Sequence, residues 1–385
     1  MLRFILNTTS RIRQVIKMKR GLVIAGIIIF AGMLSGCGNK NTDVNHNNLN
    51  KDKGYAIEKA YQTVEEIKVS DTIQKLDDGF RVIRYEGNDG FEEFLRQGGA
   101  TSDSDVAEFL TQHLMDSGIQ ILFGKNPFGC STLSVAGSDG GYLFGRNFDW
   151  DTCEALIVSS APENAYASVS TVNLDFVQAG GIDISKLPDN IQACVGLYAP
   201  LDGMNENGLA VSVNMIQDSA AINQNIGKTG ITTTTAVRLL LNQAANVEEA
   251  VELLEEYDMH GSMGMMVHFA IADADGNSVV VEYIDNEMHV TKTPVVTNFY
   301  LTEGEKYGIG TAQSHERYEI LSNLLAENST LSEDDVRDAL DSVSKDNFDD
   351  YASTEWSVVM NQNTKEMTYF HREDYTKGYK ILIEP

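Results

Sequence analysis

The stretch Gly129-Cys130-Ser131-Thr132-Leu133-Ser134-Val135-Ala136-Gly137-Ser138-Asp139-Gly140-Gly141-Tyr142-Leu143-Phe144-Gly145-Arg146-Asn147-Phe148-Asp149-Trp150 sets both fold and chemistry. Leu133 and Val135 alternate with Ser134 and Ala136, and Tyr142-Leu143-Phe144 resumes after Asp139-Gly140. Asp-Gly between alternating runs is a hairpin signal. A two-residue turn there pairs residues whose numbers sum to 279, which sets Cys130 opposite Asp149. Directly opposed residues share a face about 5 Å apart. This register brings the Asp149 carboxylate beside the cysteine and turns Arg146 to the other face. A bulge or strand end near Phe148 would be needed to bring Arg146 round.

Downstream, Leu201-Asp202-Gly203-Met204-Asn205-Glu206-Asn207-Gly208 reads as a turn. The strand Leu209–Met215 follows, with Leu209, Val211, Val213 and Met215 on one face and Ala210, Ser212 and Asn214 on the other. Helices are expected over Thr233–Ala244 and over Val247–Tyr257 behind an Asn246 cap, then over Ser314–Ala326 and again after Ser332. Hairpins are expected around Asp273–Asn277 and over Trp356–Phe370. Strand blocks flanked by helix pairs give an α+β layered domain of 256 residues, 130–385. Upstream, Ala56–Ile67 has helical spacing and Phe80–Tyr85 alternates as a strand. A helix opens at Ser102 or Ser104, and Leu110, Leu114, Ile119 and Leu122 continue its apolar face. Gly124-Lys125-Asn126-Pro127-Phe128-Gly129 reads as an exposed loop, where a chain is readily cut.

The apolar fraction suits a globular protein with a sizeable core. The formal net charge is −27; without residues 1–36, which hold six basic and no acidic residues, 23 basic face 56 acidic residues, a net of −33. Such a surface repels phosphates, and there is no basic stripe, so nucleic acid is not an expected partner. The four cysteines (Cys37, Cys130, Cys153 and Cys194) form no CxxC, and the spacing suggests no disulfide framework. The seven histidines include no HExxH, so neither a metal site nor a cofactor is expected.

Lys17-Met18-Lys19-Arg20 precedes an apolar run of 13 residues, Leu22–Leu34, the length of a signal-peptide core. Met18 is an alternative start. Leu34-Ser35-Gly36-Cys37 resembles a bacterial lipobox, which implies lipidation of Cys37 and a cut before it. The Asn-rich residues 38–54 read as a flexible tether. The expected place is the outer face of the cell membrane, held by lipid. Residues 55–129 are expected as a prosegment of mixed helix and strand.

From Cys130 onward the chain resembles the choloylglycine hydrolase and linear amide C–N hydrolase group of N-terminal-nucleophile hydrolases. The resemblance covers roughly 250 residues. It rests on the cysteine, the arginine 16 residues on and the aspartate 19 residues on, here Cys130, Arg146 and Asp149. Asp202–Leu209, leading to Asn214, resembles the family's turn and strand. Thr297-Asn298 and Ser314-His315-Glu316-Arg317 are similar to its second asparagine and late arginine. The fold implied is a four-layer αββα sandwich. The activity implied is that of a cysteine amidase on linear N-acyl bonds. Bile-acid conjugates, N-acylethanolamines, acyl-homoserine lactones and phenoxyacetyl amides all fit the class.

The chemistry suits these residues. A thiol near pKa 8.5 attacks as thiolate, and a free α-amine near 7.7–8.0 accepts its proton from the same residue. The chain must therefore be cut at Gly129–Cys130. Asp149 is expected to orient the amine and Arg146 to stabilise the thiolate. The resemblance assigns Asn214 and Asn298 as oxyanion donors, with Arg317 tying the network together or meeting a substrate polar group. Each residue also has a plainer account, as core, ion pair or solvated strand residue. Cys153 and Cys194 are expected to be structural. Phe148, Trp150, Met204, Met215, Phe299 and Tyr300 either line an acyl pocket or belong to the core. In the family some members begin almost at the cysteine, whereas 92 residues separate Cys37 from Cys130. Autocatalytic cleavage is therefore expected, with residues 38–129 staying non-covalently packed on the catalytic fragment. Expected partners are a small N-acyl amide and the membrane, with a homo-oligomer left open. An acyltransferase using the same acyl-cysteine, and a lipoprotein that only binds an amide ligand, are the alternatives.

Overall fold

The computed structural model describes residues 63–114, 121–123, 129–179, 184–345 and 353–385. The expected signal segment, Cys37, the tether, residues 56–62 of the expected first helix and residues 124–128 of the expected loop lie outside them.

Two sheets carry most strands among the described residues. The first runs β1 (Thr63–Glu66), β21 (Lys377–Leu382), β20 (Glu366–His371), β19 (Ser353–Asn361), β6 (Tyr142–Trp150), β5 (Gly129–Gly137) and β17 (Val295–Val296), with β18 (Thr330–Leu331) also on β5. The second runs β16 (Glu287–Lys292), β15 (Ser278–Ile284), β14 (Met266–Ala272), β11 (Ala210–Ile216), β10 (Asp202–Asn205), β8 (Ser168–Asn173), β7 (Ala155–Ser160), β3 (Phe80–Tyr85) and β2 (Gln74–Asp77). Two small ladders pair β4 (Ile121–Phe123) with β9 (Val177–Ala179), and β12 (Thr229–Thr232) with β13 (Tyr257–His260).

The helices are α1 (Phe91–Arg96), α2 (Asp103–Leu114), α3 (Asp189–Tyr198), α4 (Thr233–Gln243), α5 (Val247–Glu255), α6 (Ala312–Glu327) and α7 (Glu333–Ser342). Their N-termini follow the expected side-chain logic. Asn246 accepts from the Glu249 N–H, Thr311 from Ser314 and Ser332 from Asp335, satisfying first-turn donors that have no partner within the helix.

Helices α6 and α7 cover the outer face of the first sheet, on β5, β6, β17 and β19. Helices α3, α4 and α5 cover the second, on β3, β7, β8, β10, β11, β14 and β15. β5 meets β11 where the inner faces oppose each other. The result is a four-layer αββα sandwich, as the sequence implied. Because both faces of each sheet are covered, β5, β7, β8 and β11 are buried along nearly their whole length and do not alternate in and out. Leu133, Val135 and Leu143 pack outward against Val336, Ala339 and Leu340 of α7, while Cys130, Phe148 and Trp356 belong to the core between the layers.

The central hairpin corrects the expected register. Cys130 opposes Phe148, Thr132 opposes Arg146 and Gly129 opposes Asp149. The Gly140 N–H donates to the Gly137 carbonyl, and Gly140 and Gly141 take left-handed φ of 95° and 70°. The loop thus holds one residue more than a two-residue turn, and a one-residue slip exchanges the faces. Arg146 shares the inner face with Cys130, and Asp149 lies on the helix side. No bulge in β6 is needed; the irregularity sits in the neighbouring β19, between Thr354 and Trp356.

Other expectations change as well. Residues 63–66 form strand, not helix, and pair in parallel with β21. Of the expected 102–122 helix, Asp103–Leu114 is helical, residues 115–120 lie outside the described residues, and Leu122 belongs to β4. Gly129 is buried within β5, not exposed. Asp202–Asn205 is a strand, and the turn is confined to Glu206–Gly208, closed by the Gly208 N–H on the Asn205 carbonyl.

Candidate active site

Cys130 stands near the start of β5, between the two sheets, with no exposure to solvent. Its Sγ lies 3.4 Å from Arg146 Nη2 and 3.5 Å from the Val213 carbonyl of β11. Burial pushes the thiol pKa up; the Arg146 charge pulls it down, and the Asp149 carboxylate pushes it up again. Arg146 therefore carries the main opposing force.

Arg146 is itself fully buried. It pairs with Asp202 on β10 and donates to the Val213 carbonyl at 3.1 Å. Its guanidinium carbon is 5.3 Å from the Phe148 ring centre and 5.8 Å from that of Trp356. Those two rings are cross-strand neighbours stacked 4.0 Å apart, and Trp356 Nε1 donates to Asp202 at 2.9 Å. One carboxylate on the second sheet thus holds a cation and an indole of the first. The plainer sequence account pairs Arg146 with Asp149; the counter-ion is Asp202 instead, and that account assigns Trp356 no role. Asp202 lies in the very segment, Asp202–Leu209, that was compared with the family.

The Cys130 N–H donates to Asn298 Oδ1 at 3.0 Å. Asp149, expected there, is bound elsewhere. Its Oδ1 accepts from Thr354 Oγ1 at 2.8 Å, and its Oδ2 lies 3.4 Å from Arg317 Nη1 and 3.7 Å from Lys345 Nζ. The displacement follows from the register: Asp149 points to the helix side. It still borders the bond expected to be cut, because a Cβ added to Gly129 would sit 2.9 Å from both Asp149 Oδ2 and Lys345 Nζ.

Arg317, on α6, binds the chain just after the cysteine nitrogen and the asparagine that accepts from that nitrogen. Nη1 donates to the Cys130 carbonyl at 2.6 Å and to Ser131 Oγ; Nη2 donates to Asn298 Oδ1 at 2.8 Å. Asn298 is fixed in turn: Nδ2 donates to the Met215 carbonyl at 2.7 Å, and its N–H to Ser314 Oγ at 2.7 Å. Asn214 Nδ2 donates to the Val296 carbonyl at 3.3 Å and to the Thr297 carbonyl at 3.5 Å, while Oδ1 accepts from Ser212 Oγ at 2.8 Å. An amide –NH2 has two donors, so each asparagine is already committed to a main-chain carbonyl.

All six expected residues, Cys130, Arg146, Asp149, Asn214, Asn298 and Arg317, therefore stand within one connected network of β5, β6, β11, the segment after β17, and α6. Cys153 and Cys194 lie apart from it. They are buried free thiols, the first with its N–H on Glu355 at 3.0 Å. Phe148, Trp150, Met204, Met215, Phe299 and Tyr300 are all buried side chains of the core.

The sequence model described as acyl-coenzyme A:6-aminopenicillanic acid acyl-transferase matches residues 135–374. The chain is similar to penicillin V acylase of Pectobacterium atrosepticum, 28% identical over 168 residues, a match spanning 40% of this chain and 44% of that relative. Among solved structures it is similar to a mutant conjugated bile acid hydrolase from Clostridium perfringens (TM-score 0.48, 18% identity, 63% of this chain and 89% of that one). It is also similar to penicillin V acylase from Agrobacterium tumefaciens (TM-score 0.44, 21% identity, 63% and 83% covered). On the extent of the sequence match, the chain belongs to the acyl-coenzyme A:6-aminopenicillanic acid acyl-transferase family.

Proposed function

We propose that this protein is a cysteine amidase that hydrolyses linear N-acyl amides, using the Cys130 thiol as nucleophile and the Cys130 α-amine as base. The observation that carries this reading is the separate grip on the two reacting atoms of one residue. Sγ is held against Arg146 at 3.4 Å, and the nitrogen against Asn298 Oδ1 at 3.0 Å. The amine is released by a cut at Gly129–Cys130. It takes the thiol proton as sulfur attacks the acyl carbon, and hands it to the departing amine. Water then cleaves the thioester, giving a carboxylic acid and restoring the thiol. Arg146 favours the thiolate. Asn298 orients the amine, with Arg317 fixing both. The second amide hydrogen of Asn298 is the candidate oxyanion donor; Asn214 Nδ2 faces two main-chain carbonyls and would have to release one to serve. Asp149 and Lys345 flank Gly129 and act on the cut.

In this reading residues 1–36 direct export, Cys37 carries the lipid, and the enzyme works on the outer membrane face. The sequence relative suggests penicillin V; the family resemblance adds conjugated bile acids, N-acylethanolamines and acyl-homoserine lactones, and together they form the panel to assay. Intact mass of purified protein should show two fragments meeting at Gly129/Cys130. Turnover of any panel amide that survives Cys130→Ala would remove the thiol from the mechanism. The family match favours one second reading, in which an amine takes the acyl group in place of water. Added hydroxylamine separates the two: an acyltransferase diverts most product to the hydroxamate, a hydrolase little.

A further inference from the structure

Three residues stand in a row across the inner face of the second sheet. Asn214 of β11 is directly opposite His268 of β14, and His268 directly opposite Glu282 of β15. Opposed residues share a face. Only Asn214 was singled out by sequence. His268 and Glu282 are both without solvent exposure, where charge is costly unless paired.

The row grips the main chain of residues 296–302, which carries Asn298. Asn214 Nδ2 donates to the Val296 carbonyl. His268 Nε2 stands 2.9 Å from the Thr297 carbonyl, and Nδ1 stands 2.9 Å from Glu282 Oε1. Glu282 then accepts the Leu301 N–H at 2.9 Å and the Thr302 N–H at 2.7 Å. A carbonyl can only accept, so Nε2 carries hydrogen. Both Glu282 oxygens accept main-chain N–H groups, which favours the ionised carboxylate, and facing that carboxylate at 2.9 Å Nδ1 carries hydrogen too. Burial alone would raise the Glu282 pKa, but the His268 contacts and the two main-chain donors bring it down to about 2.

We infer that His268 and Glu282 are positioning residues for the nucleophile: a buried imidazolium–carboxylate pair that clamps both ends of the 297–302 segment and thereby holds Asn298 Oδ1 against the Cys130 nitrogen. Neither touches substrate or the reacting atoms. The Thr297 carbonyl they fix immediately precedes Asn298. Misplacement by about 1 Å at such a point can cost on the order of 100-fold in rate. The inference rests on the amidase reading for its consequence, but the charged state of the pair does not.

The test uses full-length protein. In wild type with 15N-labelled histidine, the His268 ring should show both N–H protons, one on Glu282 and one on the Thr297 carbonyl, and that signal should vanish in His268→Gln. A His268 ring with one proton in the folded protein overturns the inference, even if the variants fail to fold. In folded Glu282→Gln and His268→Gln, iodoacetamide alkylation of Cys130 and kcat for penicillin V, or for the fastest panel amide, should fall on the order of 10- to 100-fold, with KM moving less than about threefold. Folded variants with unchanged kcat and alkylation overturn it. Failure of the amidase reading is recognised separately, by turnover persisting in Cys130→Ala.

Discussion

Arg146 offers the sharpest test of how this site works. Its charge lies 3.4 Å from Cys130 Sγ. At an effective dielectric constant of about 20, that separation corresponds to about 5 kcal/mol of attraction for a thiolate. Even half of this means roughly 50- to 100-fold less thiolate at a given pH. Arg146→Gln alone would leave Asp202 buried without its cation, which costs about 3–5 kcal/mol of stability. The double variant Arg146→Gln/Asp202→Asn removes that penalty while keeping the shapes. In it, burial of the thiol goes unopposed by its nearest cation, so the pH profile of Cys130 alkylation by iodoacetamide should move to higher pH. Mass spectrometry reads the rate at each cysteine. The buried Cys153 and Cys194 serve as internal standards for opening of the fold. An unchanged Cys130 profile in a folded double variant would show that Arg146 does not stabilise the thiolate.

Three further outcomes follow from the same geometry. Gly129→Ala puts a methyl 2.9 Å from Asp149 Oδ2 and Lys345 Nζ; self-cleavage followed by intact mass should slow, at a stability cost of about 1–3 kcal/mol. Trp356→Phe keeps a ring on Phe148 but loses the 2.9 Å bond to Asp202; it should cost about 1–3 kcal/mol in urea melts and lower kcat. Burial pushes the Cys194 thiol up to about 12, so its contribution to stability is fully present below the unfolded-state pKa and is lost as pH rises from there through the folded value, on the order of 4 kcal/mol in all. Alkaline denaturation of Cys194→Ala should show a correspondingly flatter pH dependence.

Much of the site was legible because the chemistry is local. Cys130, Arg146 and Asp149 fall on one hairpin, whose Asp139-Gly140 signal is a property of the sequence. The faces were not legible, since they depend on whether the turn holds two residues or three, and Gly140-Gly141 permits both. Asp202 and His268 were missed for a different reason. Each acts across strands that are distant in sequence, on Arg146 and on the Thr297 carbonyl, and a lone Asp or His carries no periodicity. The same limit applies to residues 63–66, whose helical spacing yielded to a ladder with β21 at the far end of the chain. Tertiary pairing outweighs local propensity where a strand edge is available.

That ladder has a structural corollary. The chain ahead of Cys130 supplies β1 to the edge of one sheet and β3, flanked by β7 and β2, to the other. A molecule nicked at Gly129 would remain interlocked through three separate hydrogen-bonded seams, β1–β21, β3–β7 and β4–β9. It should co-migrate with intact protein until denatured. A gene product beginning at Cys130 would instead bare the flanks of β7 and β21 at once. Unpaired flanks of this kind recruit other chains, so the shortened polypeptide is expected to precipitate, and activity should return only when the missing piece is supplied during folding.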